Sequence, residues 1–142
     1  MTLEEQVISL IGQAAQSLNI HLMLVGAGAR DFWIRKFDID RTKVRTTQDV
    51  DLACWVATWQ EYKHLMELLT SKYDLVQDTS KKHRLWLKNE MSVDIIPFGG
   101  LEDAQGKITW PPNHEMTMNM LGFQAAYYDA EIARLEKSNC GL

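Results

Sequence analysis

The sequence predicts an α+β domain in which helices pack on a β-sheet, and three patterns predict it: two helical segments with one apolar face each, several short strand-like runs, and a hairpin in the second half. Thr2-Leu3-Glu4-Glu5 has the form of a capping box, and Leu3, Val7, Leu10, Ile11, Ala14 and Leu18 follow as one apolar stripe at helical spacing. Thr58-Trp59-Gln60-Glu61 opens a second helix in the same way, with Trp59, Tyr62, Leu65, Met66 and Leu69 as its buried stripe. The apolar run His21-Leu22-Met23-Leu24-Val25 reads as a strand, as does Leu75-Val76-Gln77. Arg84 to Lys88, Asn89-Glu90 and Met91 to Ile96 read as strand, turn and strand. Gly99-Gly100 ends that strand, and residues 101–116 read as a loop with a short strand at Lys107 to Trp110 before Pro111-Pro112.

A chain of 142 residues makes one domain with a sizeable core. Its expected parts are an N-terminal helix over 1–20, a core carrying the motifs over 21–98, and a loop with a C-terminal extension over 99–142. With 46% hydrophobic and 24% charged residues, the composition is that of a globular protein and not of a disordered one. A net charge of −4 argues against a general nucleic-acid coat, so any RNA contact would be local. No apolar run reaches transmembrane length and the start Met-Thr-Leu-Glu-Glu is acidic, unlike a secretory signal; the expected location is cytoplasmic, with no membrane partner. Cys54 and Cys140 suggest neither a disulfide framework nor a cysteine zinc site. His21, His64, His83 and His114 show no ligand spacing and read as surface or strand-end residues.

Three carboxylates carry the functional argument. Asp49-Val50-Asp51 lies on a strand-like run, and the period of two directs Asp49 and Asp51 to one face and Val50, Leu52, Cys54 and Val56 to the other. Asp94 is a lone acid within Met91-Ser92-Val93-Asp94-Ile95-Ile96-Pro97-Phe98. Burying an ionised carboxylate without a partner is very costly, so a metal, a basic partner or a place at the sheet's rim must compensate it. Taken together, Asp49, Asp51 and Asp94 make a site for a divalent metal such as Mg²⁺ or Mn²⁺, which prefers carboxylate oxygens and takes further ligands from nucleotide phosphates.

The run ending at Val25 leads into Gly26-Ala27-Gly28-Ala29-Arg30-Asp31. Glycines let a chain leave a strand sharply and bring bare backbone N–H groups to a phosphate; the same residues also suit an ordinary strand-to-helix turn. Asp31 breaks the Gly-x-Gly-x-x-Gly spacing of a dinucleotide fold, and no Gly-Lys-Ser/Thr follows, which excludes a P-loop. Cations gather in Arg30, Arg35, Lys36, Arg41, Lys43 and Arg45, and again in Lys81, Lys82, Arg84 and Lys88. Either group suits a triphosphate or a nucleic-acid acceptor, or is a solvated loop and edge-strand charge.

A strand, the Gly26-Ala27 turn, Arg30-Asp31, then Thr47-Gln48-Asp49-Val50-Asp51-Leu52 and a later Asp94 resemble the nucleotidyltransferase superfamily with a DNA-polymerase-β-like core. Within it the chain is most similar to AbiEii-type nucleotidyltransferase toxins, and more distantly to tRNA nucleotidyltransferases. Those families carry Gly-Gly or Gly-Ser where this chain has Gly26-Ala27, and alanine still allows close backbone approach. The resemblance runs from about residue 20 to the end of the chain. It implies a mixed central sheet flanked by helices and a Mg²⁺-dependent transfer of a nucleoside monophosphate from an NTP to an acceptor hydroxyl on tRNA, a protein or a small molecule. It further implies that Asp49, Asp51 and Asp94 hold the ions, and that Gly26, Ala27, Gly28 and Arg30 meet the nucleotide's phosphates. A place in a toxin–antitoxin system, with an antitoxin or helical partner beside a minimal catalytic core, is also implied. The rival reading is a non-catalytic nucleotide- or partner-binding domain that keeps the fold; a metal-dependent phosphodiesterase ranks last, since no histidine ligand set supports it.

Overall fold

The computed structural model describes residues 2–25 and 49–112, together with 114, 116–120 and 122–123, and describes Asp49 by its backbone alone. Helix α1 (Leu3–Ser17) leads into β1 (His21–Val25). The chain continues through β2 (Asp49–Val56), α2 (Trp59–Ser71), β3 (Val76–Gln77), β4 (Arg84–Leu87) and β5 (Met91–Gly99), and then β6 (Lys107–Thr109) and β7 (Thr117–Asn119).

Both helices begin where the sequence predicts. The Thr2 hydroxyl accepts from the Glu5 amide at 3.1 Å and the Glu5 carboxylate accepts from the Thr2 amide at 3.3 Å, so the box is complete and two of the helix's orphan donors are met. At α2 half of the box is altered. Thr58 Oγ1 accepts from the Glu61 amide at 3.2 Å, but the Glu61 carboxylate reaches one residue further back, to the Ala57 amide at 2.9 Å.

The main sheet has the order β1-β2-β5-β4-β3 and is mixed: β2 and β5 run parallel, whereas β1–β2, β5–β4 and β4–β3 are antiparallel. The α+β class and the mixed sheet flanked by helices are therefore those the sequence predicts. The three-residue connection Lys88-Asn89-Glu90 joins β4 to β5, with Lys88 and Asn89 both at positive φ (55° and 57°) and the Glu90 amide bonded back to the Leu87 carbonyl at 3.0 Å. Positive φ at both central residues gives the turn a twist that matches the strands it joins.

Each face of the sheet has its own apolar layer. Val50, Leu52, Cys54 and Val56 of β2, with Leu85, Leu87, Val93 and Ile95, pack against Val7, Ile11 and Ala14 of α1 and Tyr62, Leu65 and Leu69 of α2. Burying side chains of this size contributes roughly 1.5–3 kcal/mol each. Tyr62 adds a directed contact, its hydroxyl donating to the Ile95 carbonyl at 2.7 Å across the helix–sheet interface. The opposite face carries Met23, Ala53 and Phe98, covered by Ile108, Trp110 and Met120. That cover comes from the β6–β7 pair, in which Ile108 opposes Met118. The sequence predicts only the first of these strands and places the rest of residues 101–116 in a loop.

Gly99 and Gly100 end β5 for a steric reason. Gly99 sits at φ +107°, and a Cβ there would lie 2.5 Å from Trp55 Cδ1; a Cβ on Gly100 would fall onto the Ala57 backbone. The Gly100 amide bonds to the Val56 carbonyl at 2.9 Å, so the chain passes close over the end of β2. Among the described residues no helix is long and apolar enough to cross a membrane.

Candidate functional site

The pairing of β2 with β5 sets the site. In this parallel register Asp51 is the direct partner of Asp94, and Asp49 that of Ser92. Adjacent strands lie about 4.8 Å apart, and register partners present their side chains to the same face. The two acids that the sequence separates by a helix, two strands and their connections thus become neighbours. The alternation that buries Val50, Leu52, Val93 and Ile95 under the helices puts Asp51 and Asp94 on the opposite face, in step with Ala53 and Ile96.

One row crosses four strands at this level: Val25, Asp51, Asp94 and Arg84 are consecutive register partners. Val25 is the last residue of β1 and the register partner of Asp51, and Gly26 follows it in sequence. Gly26, Ala27, Gly28 and Arg30, expected to meet phosphates, lie outside the described residues, as do the other cations through Arg45. The side chain of Asp49 lies outside them too.

Asp94 has a basic partner, one of the three compensations the sequence allows. Arg84 Nε donates to Oδ1 at 2.7 Å and Nη2 donates to Oδ2 at 3.1 Å, a two-pronged pair that matches the planar guanidinium to the carboxylate. His83 Nε2 lies 3.6 Å from Oδ2. Burial works to raise the Asp94 pKa, but the interactions with His83 and Arg84 outweigh it and bring the group down to about 2. The carboxylate is therefore charged at neutral pH, with Arg84 as its basic partner.

The sequence reads His83 as a surface or strand-end residue; it does adjoin the start of β4, but it is buried and not at the surface. It is 7% exposed, its ring packs against Trp110 at a centroid distance of 5.9 Å, and its buried Nδ1 has no hydrogen-bond partner among the described residues. Arg84 likewise is no solvated edge charge. Arg84 was missed because the sequence reading puts the turn at Asn89-Glu90, which pairs Lys88 with Met91 and so Leu85 with Asp94, whereas the observed connection pairs Leu87 with Met91 and Arg84 with Asp94. His83 precedes the strand and receives the Ile95 amide on its carbonyl at 2.8 Å, a contact no periodicity reports.

The donor chemistry suits a hard divalent ion, since it consists of carboxylate oxygens on adjacent strands. Among the described residues no group of three or more His, Cys, Asp or Glu is placed to hold a metal. Asp51 and Asp94 are the two members of the expected triad whose side chains are described. Both Asp94 oxygens accept from Arg84.

Solved structures similar to this chain include a CCA-adding enzyme in complex with CTP, at 20% identity and a TM-score of 0.42, covering 66% of this chain and 20% of that one. Another is the antibiotic-resistance factor ANT(2'')-Ia, at 17% identity and a TM-score of 0.44, covering 72% of this chain and 55% of that one. The chain thus spans a fifth of the first protein and about half of the second. No protein-family model and no curated protein matches it.

Proposed function

We propose that this chain is a metal-dependent nucleotidyltransferase that moves a nucleoside monophosphate from an NTP to an acceptor hydroxyl. The observation that supports this best is the β2–β5 register, which sets Asp51 directly against Asp94 at the level where β1 ends. Asp49, Asp51 and Asp94 hold Mg²⁺ or Mn²⁺ in this reading, and Gly26, Ala27, Gly28 and Arg30 hold the triphosphate. When bound, paired ions of this kind neutralise phosphate charge and activate the attacking oxygen. Asp94 would hold the ion nearest the acceptor and help take the proton of its hydroxyl. Backbone N–H groups of the glycine turn supply preorganised donors for charge that builds on the phosphoryl oxygens. The acceptor is a tRNA, a protein or a small molecule, and the AbiEii-like order of motifs favours a toxin accompanied by an antitoxin or helical partner.

The test is calorimetric titration of each NTP with Mg²⁺, with Mn²⁺ and with EDTA, on the unaltered protein and on Asp51→Asn. Metal-dependent binding that disappears in a folded Asp51→Asn protein supports the site; NTP binding indifferent to both metal and mutation overturns it. A second reading, a nucleotide- or partner-binding domain without catalysis, draws on the Arg84–Asp94 pair, which already satisfies the third acid. Metal-dependent release of pyrophosphate from an NTP would dismiss that alternative.

A further inference from the structure

Arg84 and the cation expected at Asp94 need the same oxygens. Arg84 uses both, Nε on Oδ1 at 2.7 Å and Nη2 on Oδ2 at 3.1 Å, and it does so from the strand next to Asp94 as a direct register partner. The pair is held in place on three sides. Asp51 faces Asp94 from β2, His83 stands 3.6 Å from Oδ2, and the β4–β5 hairpin fixes the backbone of both partners. Side-chain exposures of 24% for Arg84 and 16% for Asp94 show a pair mostly, but not wholly, withdrawn from water. Two carboxylates on neighbouring strands repel, and a positive charge between or beside them relieves the repulsion. The guanidinium is that charge here.

Resting on the metal-dependent reading above, we infer that Arg84 is a resident cation that must give up Asp94 before a divalent ion is held there. Arg84 is thus a positioning residue in competition with the metal, and not one of its supports. Asp94 exchanges one positive partner for another and stays charged throughout, so the step needs no proton. The long side chain of arginine allows the exchange without moving β4, because only its torsions must change. Two consequences follow. The unaltered protein takes up a bare divalent ion weakly, and removing the guanidinium strengthens that uptake.

The experiment is calorimetric titration of MnCl₂ into metal-stripped unaltered protein, Arg84→Gln, Arg84→Lys and Asp94→Asn, with circular dichroism to confirm folding. The expected order of Mn²⁺ affinity is Arg84→Gln above Arg84→Lys above the unaltered protein, with about tenfold between the extremes and the weakest binding in Asp94→Asn. Weaker binding in folded Arg84 variants would mean that the guanidinium props Asp94 in its ligand geometry, and equal binding would mean that the ion bypasses Asp94; either overturns the inference. No Mn²⁺ binding by any of the proteins would remove the metal-dependent reading together with it. A second measurement uses the unaltered protein only, so variant folding does not enter. On Mg²⁺ titration the ¹⁵Nε–H resonance of Arg84 should shift and its proton should exchange faster with water, as its bond to Asp94 is lost. Ion binding without a change at that resonance overturns the inference while leaving the metal site standing.

Discussion

Replacing Arg84 with methionine keeps much of the side chain's length and removes its charge, leaving Asp94 half-buried opposite Asp51, with His83 beside it. Two routes give the cost. Breaking a fully buried pair costs about 3–5 kcal/mol and breaking an exposed one about 0–1 kcal/mol; exposures of 24% and 16% place this pair between, near about 2 kcal/mol. His83 and Arg84 together lower the Asp94 carboxyl from 3.8 to about 2 against the effect of burial, which corresponds to at most about 2.5 kcal/mol for the two partners at about 1.4 kcal/mol per tenfold, or about 1–2 kcal/mol after screening by the solvent that reaches it, with Arg84 carrying part of that. The routes agree, and the loss is a sizeable part of the roughly 5–15 kcal/mol that holds such a domain folded. The sign with pH is fixed by the lowered carboxyl. Its contribution is complete above the unfolded value near 4 and is lost as pH falls toward 2. Urea unfolding of the unaltered protein, Arg84→Met, Asp94→Asn and the double variant should therefore give a coupling of about 1–2 kcal/mol at pH 7 that shrinks between pH 4 and pH 2. A coupling below about 0.5 kcal/mol at pH 7, or one that stays constant down to pH 2, would refute the assignment of Arg84 as the charge partner of Asp94.

Two glycines should respond in opposite ways to alanine. Gly12 lies within α1 with nothing within 4 Å of the added carbon, so Gly12→Ala should stabilise by about 0.5–1 kcal/mol, whereas Gly100→Ala drives a carbon into the Ala57 backbone and should cost about 2–3 kcal/mol; thermal melts of both decide. Burial pushes the Cys54 thiol far above its ordinary range, so in a Cys140→Ser background iodoacetamide at pH 8 should label the protein only after denaturation, and labelling of the native protein would contradict the packing of β2 under the helices. Tyr62→Phe removes the donor to the Ile95 carbonyl and should lower stability by about 1–2 kcal/mol in urea unfolding; no change would mean that the bond contributes nothing to holding α2 on the sheet.

The parts of the fold that the sequence made legible are those in which one pattern dominates. α1 shows its cap and its stripe in the first residues, and Val7, Ile11 and Ala14 are fully buried as that stripe requires. Leu18, counted in the same stripe, is 37% exposed because it is the C-cap, where helical spacing no longer applies. In β2 the alternation separates Asp51 from Val50 and Leu52 as expected, since a period of two leaves no other assignment. β7 was not legible: Thr117-Met118-Asn119 is too short to show a period, and what makes it a strand is its pairing with β6. The partners of Asp94 lie between these cases. A lone buried acid announces that something must neutralise it, but metal, arginine and solvent meet that need equally well on paper, and the hairpin register decides for Arg84.

The parallel pairing of β2 with β5 bears on when the acid pair comes into being. Parallel neighbours cannot be joined by a tight turn, and here α2, β3 and β4 all lie on the path between them. Closing so long a segment is slow relative to forming a helix or the β4–β5 hairpin, and this topology predicts that Arg84 meets Asp94 through a local contact before Asp51 reaches it. The early partnership shields a lone carboxylate while the second strand is still being recruited. Because the two acids adjoin only once the whole crossover has docked, a solute that bridges them recognises the finished molecule and no partly ordered form, and its binding draws the folding equilibrium toward completion.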